Sequence, residues 1–383
     1  MKVFIIAGEV SGDKLGQAVM AGLKSLVPGI SFDGVGGPLM QSHGLVSRFD
    51  MSELSLMGLA EIIPKYLHLK RRIAEMADAV IETQPDILLT IDSPDFCLRV
   101  AKLVKSRSNI RTVHYVAPTV WAWRPGRAAK MARYIDHVLA LFPFEPPYMQ
   151  AAGMACDFVG HPVVADPVAT MSEANSFRES TGIDHAPLIL ALPGSRKAEV
   201  TRLADRFGAA LRLIIAQHPA ARIVVPCAGP VAGLVHDLTS GWPGRPILIA
   251  PQDAVAKRAA FKAANVALAA SGTVSLELAA NGTPMVIAYD MSWLSRVIIS
   301  RMLLVDTVTL VNLVSDTRVV PEFIGARCLP GPIAESVLQV MAAPQDQRAA
   351  MALTMARLGQ GDAEPGLRAA RAIVESARNI AKT

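Results

Sequence analysis

An apolar run, Leu188 to Leu192, breaks at Pro193-Gly194 and passes through Ser195-Arg196 straight into a helical pattern. Such a turn suits an anion. Gly194 permits close backbone approach, the first amides of the following helix point outward, and Arg196 can present a bidentate guanidinium. The arrangement recurs near residue 270, where Val266 to Ala269 lead into Ser271-Gly272-Thr273 and the next helix carries Glu277. Either turn alone is an ordinary strand-to-helix connection. Two of them with one carboxylate in the same half of the chain point to a nucleotide diphosphate.

The first half carries a different chemistry. Gly8-Glu9-Val10-Ser11-Gly12-Asp13 follows the first apolar run, where a dinucleotide loop would stand, but Gly8, Gly12 and Gly16 are four apart and Glu9 would repel a pyrophosphate. Acidic and hydroxyl groups here suit a neutral polyol such as a sugar, although Ser11 or Asp13 would serve equally as a helix cap. Ile87 to Ile91 end in Asp92-Ser93-Pro94-Asp95. A carboxylate leaving a buried strand can take the proton of an attacking hydroxyl, and Asp92 is the first choice for that base, with Asp95 read as a cap of the next helix. The stretch His114 to Arg127 gathers Trp121, Trp123, Arg124 and Arg127. Trp123 with its arginines suits stacking on a sugar ring or contact with an acyl-bearing phosphate; a tryptophan pair plugging the domain edge fits as well. Residues 54–73 crowd Leu, Met and Ile beside Lys65, Lys70, Arg71 and Arg72. They read as a core helix with a basic face or as a surface for an anionic membrane.

Short apolar runs alternating with helix-length segments must position these groups. Val3 to Ala7, Ile87 to Ile91, Val113 to Val116 and Val138 to Leu141 form one series; Leu188 to Leu192, Ile223 to Val225, Ile247 to Ile249, Val266 to Ala269 and Met285 to Ala288 form a second. The pattern is α/β with parallel strands in two doubly wound domains, and ligands bind beyond the carboxyl ends of such strands. The prolines around 161–187 place the connection near 165, so the expected domains are 1–165 and 166–343. A helical tail, 344–383, would pack back on the first domain or on a second subunit, which leaves a homodimer open. With 383 residues, each domain can bury a full core.

Composition narrows the partner. Lysine and arginine exceed aspartate and glutamate by five, favouring an anionic ligand, while only 5% of residues are aromatic and no nucleic-acid motif appears, so nucleic acid is not expected. Hydrophobic residues reach 51%, yet no apolar run approaches the roughly 18–20 needed to span a bilayer. The first apolar run is too short for a signal-peptide core, which points to the cytoplasm. Four scattered cysteines, Cys97, Cys156, Cys227 and Cys328, suggest buried thiols rather than a zinc site or disulfides.

Taken together, Ala7 to Asp13, Ile91 to Phe96, His114 to Arg124, Gly160-His161-Pro162, Leu192 to Arg196, Ala270 to Thr273 and Val320 to Phe323 closely resemble the lipid-A-disaccharide synthase family of glycosyltransferases. The resemblance covers almost the whole chain. Ala117 and the Gly36 to Met40 stretch depart from the family's usual residues there. It implies a GT-B fold, two Rossmann-like domains with a deep cleft between them, and inverting transfer of 2,3-diacylglucosamine from UDP-2,3-diacylglucosamine to 2,3-diacylglucosamine 1-phosphate. Under it Asp92 matches the family's essential acid and acts as base. Arg196, with Ser271, Gly272 and Thr273, holds the departing diphosphate, Glu277 the ribose, and Asn312 lies at the cleft; Glu9, Ser11, Asp13 and Trp123 contact substrate. No metal or cofactor is required, and the acylated substrates imply peripheral attachment to the cytoplasmic face of the inner membrane through residues 54–73. A glycosyltransferase-like enzyme on a soluble UDP-sugar, such as a 2-epimerase, and a non-catalytic UDP-sugar sensor are the alternatives.

Overall fold

The computed structural model describes residues 1–54, 59–292, 296 and 302–380, with 59–65, 379 and 380 described by their backbone alone. They form two compact units, the first made of Met1–Ala165 together with the chain from Leu358 onward, the second of Asp166–Arg357.

In the first unit β1 (Lys2–Ala7) feeds α1 (Val10–Leu26), which returns to β2 (Ser31–Val35) and the short α2 (Pro38–Ser42); α3 (Leu59–Thr83) then leads to β3 (Ile87–Ile91). α4 (Pro94–Lys105), β4 (Arg111–Tyr115), α5 (Gly126–Met131), β5 (His137–Ala140) and β6 (Ala155–Phe158) complete it. The strands are parallel in the order β2-β1-β3-β4-β5-β6. Helices cover both faces, so β3 and β5 are buried at every residue. Because the chain steps from β1 outward to β2 and then crosses back to β3, a crevice opens at the carboxyl ends of β1 and β3, where Ala7 lies beside Ile91.

The second unit repeats the design with β7 (Leu188–Leu192), β8 (Arg222–Pro226), β9 (Ile247–Ile249), β10 (Val266–Ala269), β11 (Met285–Tyr289) and β12 (Glu322–Ile324), ordered β12-β11-β10-β7-β8-β9. Here the chain reverses between β7 and β10, so Leu192 and Ala269 flank the corresponding crevice. Its core lies between the sheet and the helix Lys197–Gln217, with Phe207, Leu211 and Ile214 against Ile189, Ile223 and Val225.

Of the expected tail, the helix Gln345–Arg357 packs in the second unit against the helix Leu310–Ser315. Its buried Gln347 accepts the Met285 amide and donates to the Met285 and Val319 carbonyls. The helix Pro365–Ile380 lies instead along α1 of the first unit. Glycines permit that approach: a β-carbon on Gly366 would stand 2.7 Å from the Ala18 carbonyl oxygen, and one on Gly22 2.9 Å from that of Gly366. Gly366→Ala should therefore force the helices apart and cost about 1–3 kcal/mol, lowering the urea midpoint. Gly331, with open space around it, is the control whose alanine variant should match wild type. Among the described residues no helix is long and apolar enough to cross a membrane.

Candidate functional site

At the β1–β3 crevice the backbone is held in a rarely used conformation. Asp92 and Ser93 follow β3 with φ of 51° and 42°, and Val116, just after β4, has φ 84°, a severe departure for a β-branched residue. The ladder enforces it, since the Asp92 amide donates to the Tyr115 carbonyl and the Val116 amide to that of Leu139. Strain of about 1–3 kcal/mol per residue persists where surrounding structure over-determines it, and such positions concentrate at active sites. Gly8 has a steric duty here, because a β-carbon on it would lie 2.6 Å from Ser93 Oγ. That hydroxyl is itself buried without a hydrogen-bond partner among the described residues. A substrate hydroxyl would satisfy it.

A cavity of about 300 Å³ opens beside this crevice. Glu9, Ser93 and Asp95 form its polar wall, Leu54, Leu69, Ile73, Pro94 and Phe96 its apolar wall, and Tyr66, Lys70 and Arg99 its remaining lining. The Asp92 carboxylate lies within electrostatic reach of the same loop: burial raises the Cys97 thiol, and Asp92 and then Glu9 add to that rise. Asp92, Glu9, Ser93 and Asp95 thus converge on the carboxyl edge of one sheet. Of the segment 54–73, residues 55–58 lie outside the described residues; in α3, Tyr66 and Leu67 are exposed, while Arg72 is held by Glu53 and Glu75.

Other expected ligands stand differently. Ser11 is exposed in the first turn of α1. Asp13 is buried, and its carboxylate accepts from the amides of Gly37, Leu39 and Met40 at 2.9–3.0 Å, so it ties α1 to the start of α2. His114 is buried within β4 with Nδ1 2.8 Å from Thr90 Oγ1, and burial pushes its pKa down to about 4, leaving it neutral near pH 7. Trp121 is buried edge-on to Phe144 and donates to Glu145, whereas Trp123 is half-buried with Arg124 stacked 4.5 Å over its ring.

Glu145 anchors this loop at a price in pH dependence. Burial lifts its pKa from 4.5 to about 7, against the pull of the Phe142 amide, the Trp121 indole and the Leu141 amide, which favour the charged form. The folded state then keeps a proton that the unfolded chain has released. Stability from this group should be fully present below about pH 4.5 and fall by roughly 2–4 kcal/mol as pH rises through 7. Glu145→Gln should flatten that decline in urea titrations at a series of pH values; an unchanged slope would reject the assignment.

In the second unit the β7–β10 crevice joins both anion-friendly turns, the Ala270 amide donating to the Leu192 carbonyl. Gly194 takes φ 120°, and a β-carbon there would meet Glu199 at 2.7 Å. Sequence reasoning missed Glu199. Its carboxylate accepts from the Ser195 and Arg196 amides and from the Arg196 guanidinium, filling the turn from within, while Arg196 stays 67% exposed. Its position three residues after Arg196 was the available signal, that of a helix-capping acid. Opposite stand the exposed Gly272 and Thr273 and the half-buried Ser271 and Glu277, the last paired with Lys257 at 2.8 Å. Asn312 is buried and bonds the Val320 amide and carbonyl and Thr307 Oγ1, holding a neighbouring loop.

The fold and its two crevices have known counterparts. Solved structures with the same architecture include the Staphylococcus aureus MnaA–UDP complex (TM-score 0.64, 12% identity, 100% of this chain and 97% of that one). A UDP-GlcNAc 2-epimerase from Neisseria meningitidis bound to UDP-GlcNAc is similar (TM-score 0.63, 14% identity, 99% and 100%). At these identities the likeness is one of fold, the GT-B arrangement of Rossmann-like units. Sequence goes further. Residues 3–371 match the family described as lipid-A-disaccharide synthetase. The lipid-A-disaccharide synthase of Ruegeria pomeroyi is 62% identical over 381 residues, covering 98% of this chain and 95% of that protein. That of Rhodospirillum centenum is 44% identical over 379 residues, 97% and 94% of the two chains. On this match, which extends through both crevices, the chain belongs to the lipid-A-disaccharide synthase family and is a glycosyltransferase of lipid A synthesis.

Proposed function

We propose that the chain transfers 2,3-diacylglucosamine from UDP-2,3-diacylglucosamine to the 6-hydroxyl of 2,3-diacylglucosamine 1-phosphate, with inversion, giving the β-1,6-linked disaccharide 1-phosphate and UDP. The observation that carries this reading is the β1–β3 crevice: a carboxylate on a strained turn, an unsatisfied hydroxyl and an adjacent cavity that is apolar on one wall. Asp92 accepts the proton of the acceptor hydroxyl as that oxygen attacks the anomeric carbon, and Glu9 and Ser93 orient the sugar ring. The bond to the diphosphate breaks as the new bond forms, so negative charge grows on the departing UDP. Arg196 and the amides around Gly194 and Gly272 meet that charge. Glu277 binds the ribose, and Trp123 contacts the acylated sugar. Acyl chains lie along Leu69, Ile73 and Phe96. The exposed Tyr66 and Leu67, next to Lys70 and Arg71, support peripheral contact with an anionic inner-membrane surface on its cytoplasmic side.

The test is a mixed-micelle assay with both acylated sugars and EDTA, following disaccharide by mass spectrometry. Disaccharide and UDP in equal amounts are expected. Turnover of UDP-GlcNAc alone, with no disaccharide from the acylated pair, would replace this reading by a soluble-sugar enzyme.

A further inference from the structure

Behind α4 the first unit has a second cavity that the reaction above leaves unused, of about 200 Å³, sharing Pro94, Asp95 and Arg99 with the first. Its walls carry four cations, Arg99 and Lys102 from α4 and Arg127 and Lys130 from α5, against the single carboxylate of Asp95. None of the four forms an ion pair with another described residue, although Asp95 stands one helical turn before Arg99. Elsewhere in this unit Arg48, Arg72, Lys105 and Arg107 each have a carboxylate partner. Arg99, Lys102 and Lys130 are exposed and Arg127 is half-buried, so water screens their mutual repulsion, and the four cations still give an entering anion a wall of one sign.

We infer that this cavity binds the phosphate of a lipid, a phosphomonoester or phosphodiester headgroup whose acyl part turns through the shared Asp95–Arg99 wall into the neighbouring apolar cavity. Asp95, Arg99 and Lys102 follow one face of α4 over about 10 Å, so the two cavities are reached along a single helix. Guanidinium and ammonium groups on two helices give the phosphate both bidentate and point-charge partners. Two sources share this chemistry: the 1-phosphate of the acceptor, in which case the inference rests on the proposed reaction, and an anionic phospholipid of the bilayer.

The experiment compares wild type with a Lys102→Ala, Arg127→Ala, Lys130→Ala variant and with the single variant Lys130→Glu, whose position is exposed. Each is checked for folding by its thermal melt. Binding of 2,3-diacylglucosamine 1-phosphate and of its dephosphorylated analogue is measured in neutral dodecyl maltoside micelles, and co-sedimentation with phosphatidylcholine vesicles with and without phosphatidylglycerol. If the acceptor is the source, wild type prefers the phosphorylated sugar at least tenfold, and both variants lose most of that preference. If the bilayer is the source, that preference is unaffected and binding to phosphatidylglycerol vesicles falls at least tenfold. Variants equal to wild type in both arms overturn the inference, even where disaccharide synthesis is normal. A wild type that makes no disaccharide but shows either effect sinks the proposed reaction and keeps the phosphate site.

Discussion

Asp92→Asn should lower disaccharide synthesis by about 10²–10⁴-fold while leaving UDP binding within about twofold of wild type, the loss expected when a general base is removed. Asparagine is the informative replacement. It keeps the size of the side chain and tolerates the positive φ of 51° that Asp92 adopts, so the strained turn and its bond to Tyr115 survive. What disappears is the capacity to accept a proton. Asp92→Ala adds backbone strain to the chemical deletion and would confound the two. A parallel Ser93→Ala variant should raise the acceptor KM with a smaller change in kcat if, as proposed, its hydroxyl orients the sugar without taking a proton. Should Asp92→Asn retain more than a tenth of the activity, the base lies elsewhere, and Glu9 and Asp95 on the same cavity wall are the next to replace.

Arg196→Ala should reduce kcat/KM by about 10²–10³-fold, the range found when one preorganised charge-stabilising donor is lost from an active site. In the free protein this guanidinium is exposed and leans on Glu199. On the proposed reading, a diphosphate entering the turn would compete with Glu199 for the same two amides and the same arginine. Arg196→Lys should recover only part of the loss, since an ammonium cannot make the paired contacts of the guanidinium. The readout is steady-state kinetics with the donor varied. A drop in kcat beyond any rise in the donor KM marks charge stabilisation in the transition state; a rise in KM alone would reduce Arg196 to a binding residue.

The sequence exposed the interior strands and the edge strand β9, and hid the other three edges. β1, β3, β5, β7 and β10 are largely apolar because helices bury both their faces; β3, β7 and β10 stand where their runs predict, and β1 and β5 within one residue of it. β2, β6 and β12 were missed. Ser-Phe-Asp-Gly-Val, Ala-Cys-Asp-Phe and Glu-Phe-Ile lie at sheet edges with one side open, so burial imposes no apolar run on them. Polar residues were harder. Asp13 and Asn312 carry the side chains of ligand groups, but their partners are groups that folding brings near: for Asp13 backbone amides 24 to 27 positions along the chain, for Asn312 the Val320 amide and carbonyl and Thr307 Oγ1. A residue's type announces that it needs a partner and not which one. Spacing marked Glu199 as a helix-capping acid, but nothing in it announced that α3 and α4 would enclose a cavity beside the turn after β3.

The seating of the helix Pro365–Ile380 on α1 orders events during synthesis. The sheet of the first unit emerges early, but the helix that covers α1 is translated only after the whole of the second unit, about 190 residues later. At 5–20 residues per second that is a wait of roughly 10–40 s. Throughout it the small-residue groove around Ala18 and Gly22 lies open on a nearly finished domain, a standing invitation to chaperones and to the same helix of a neighbouring nascent chain.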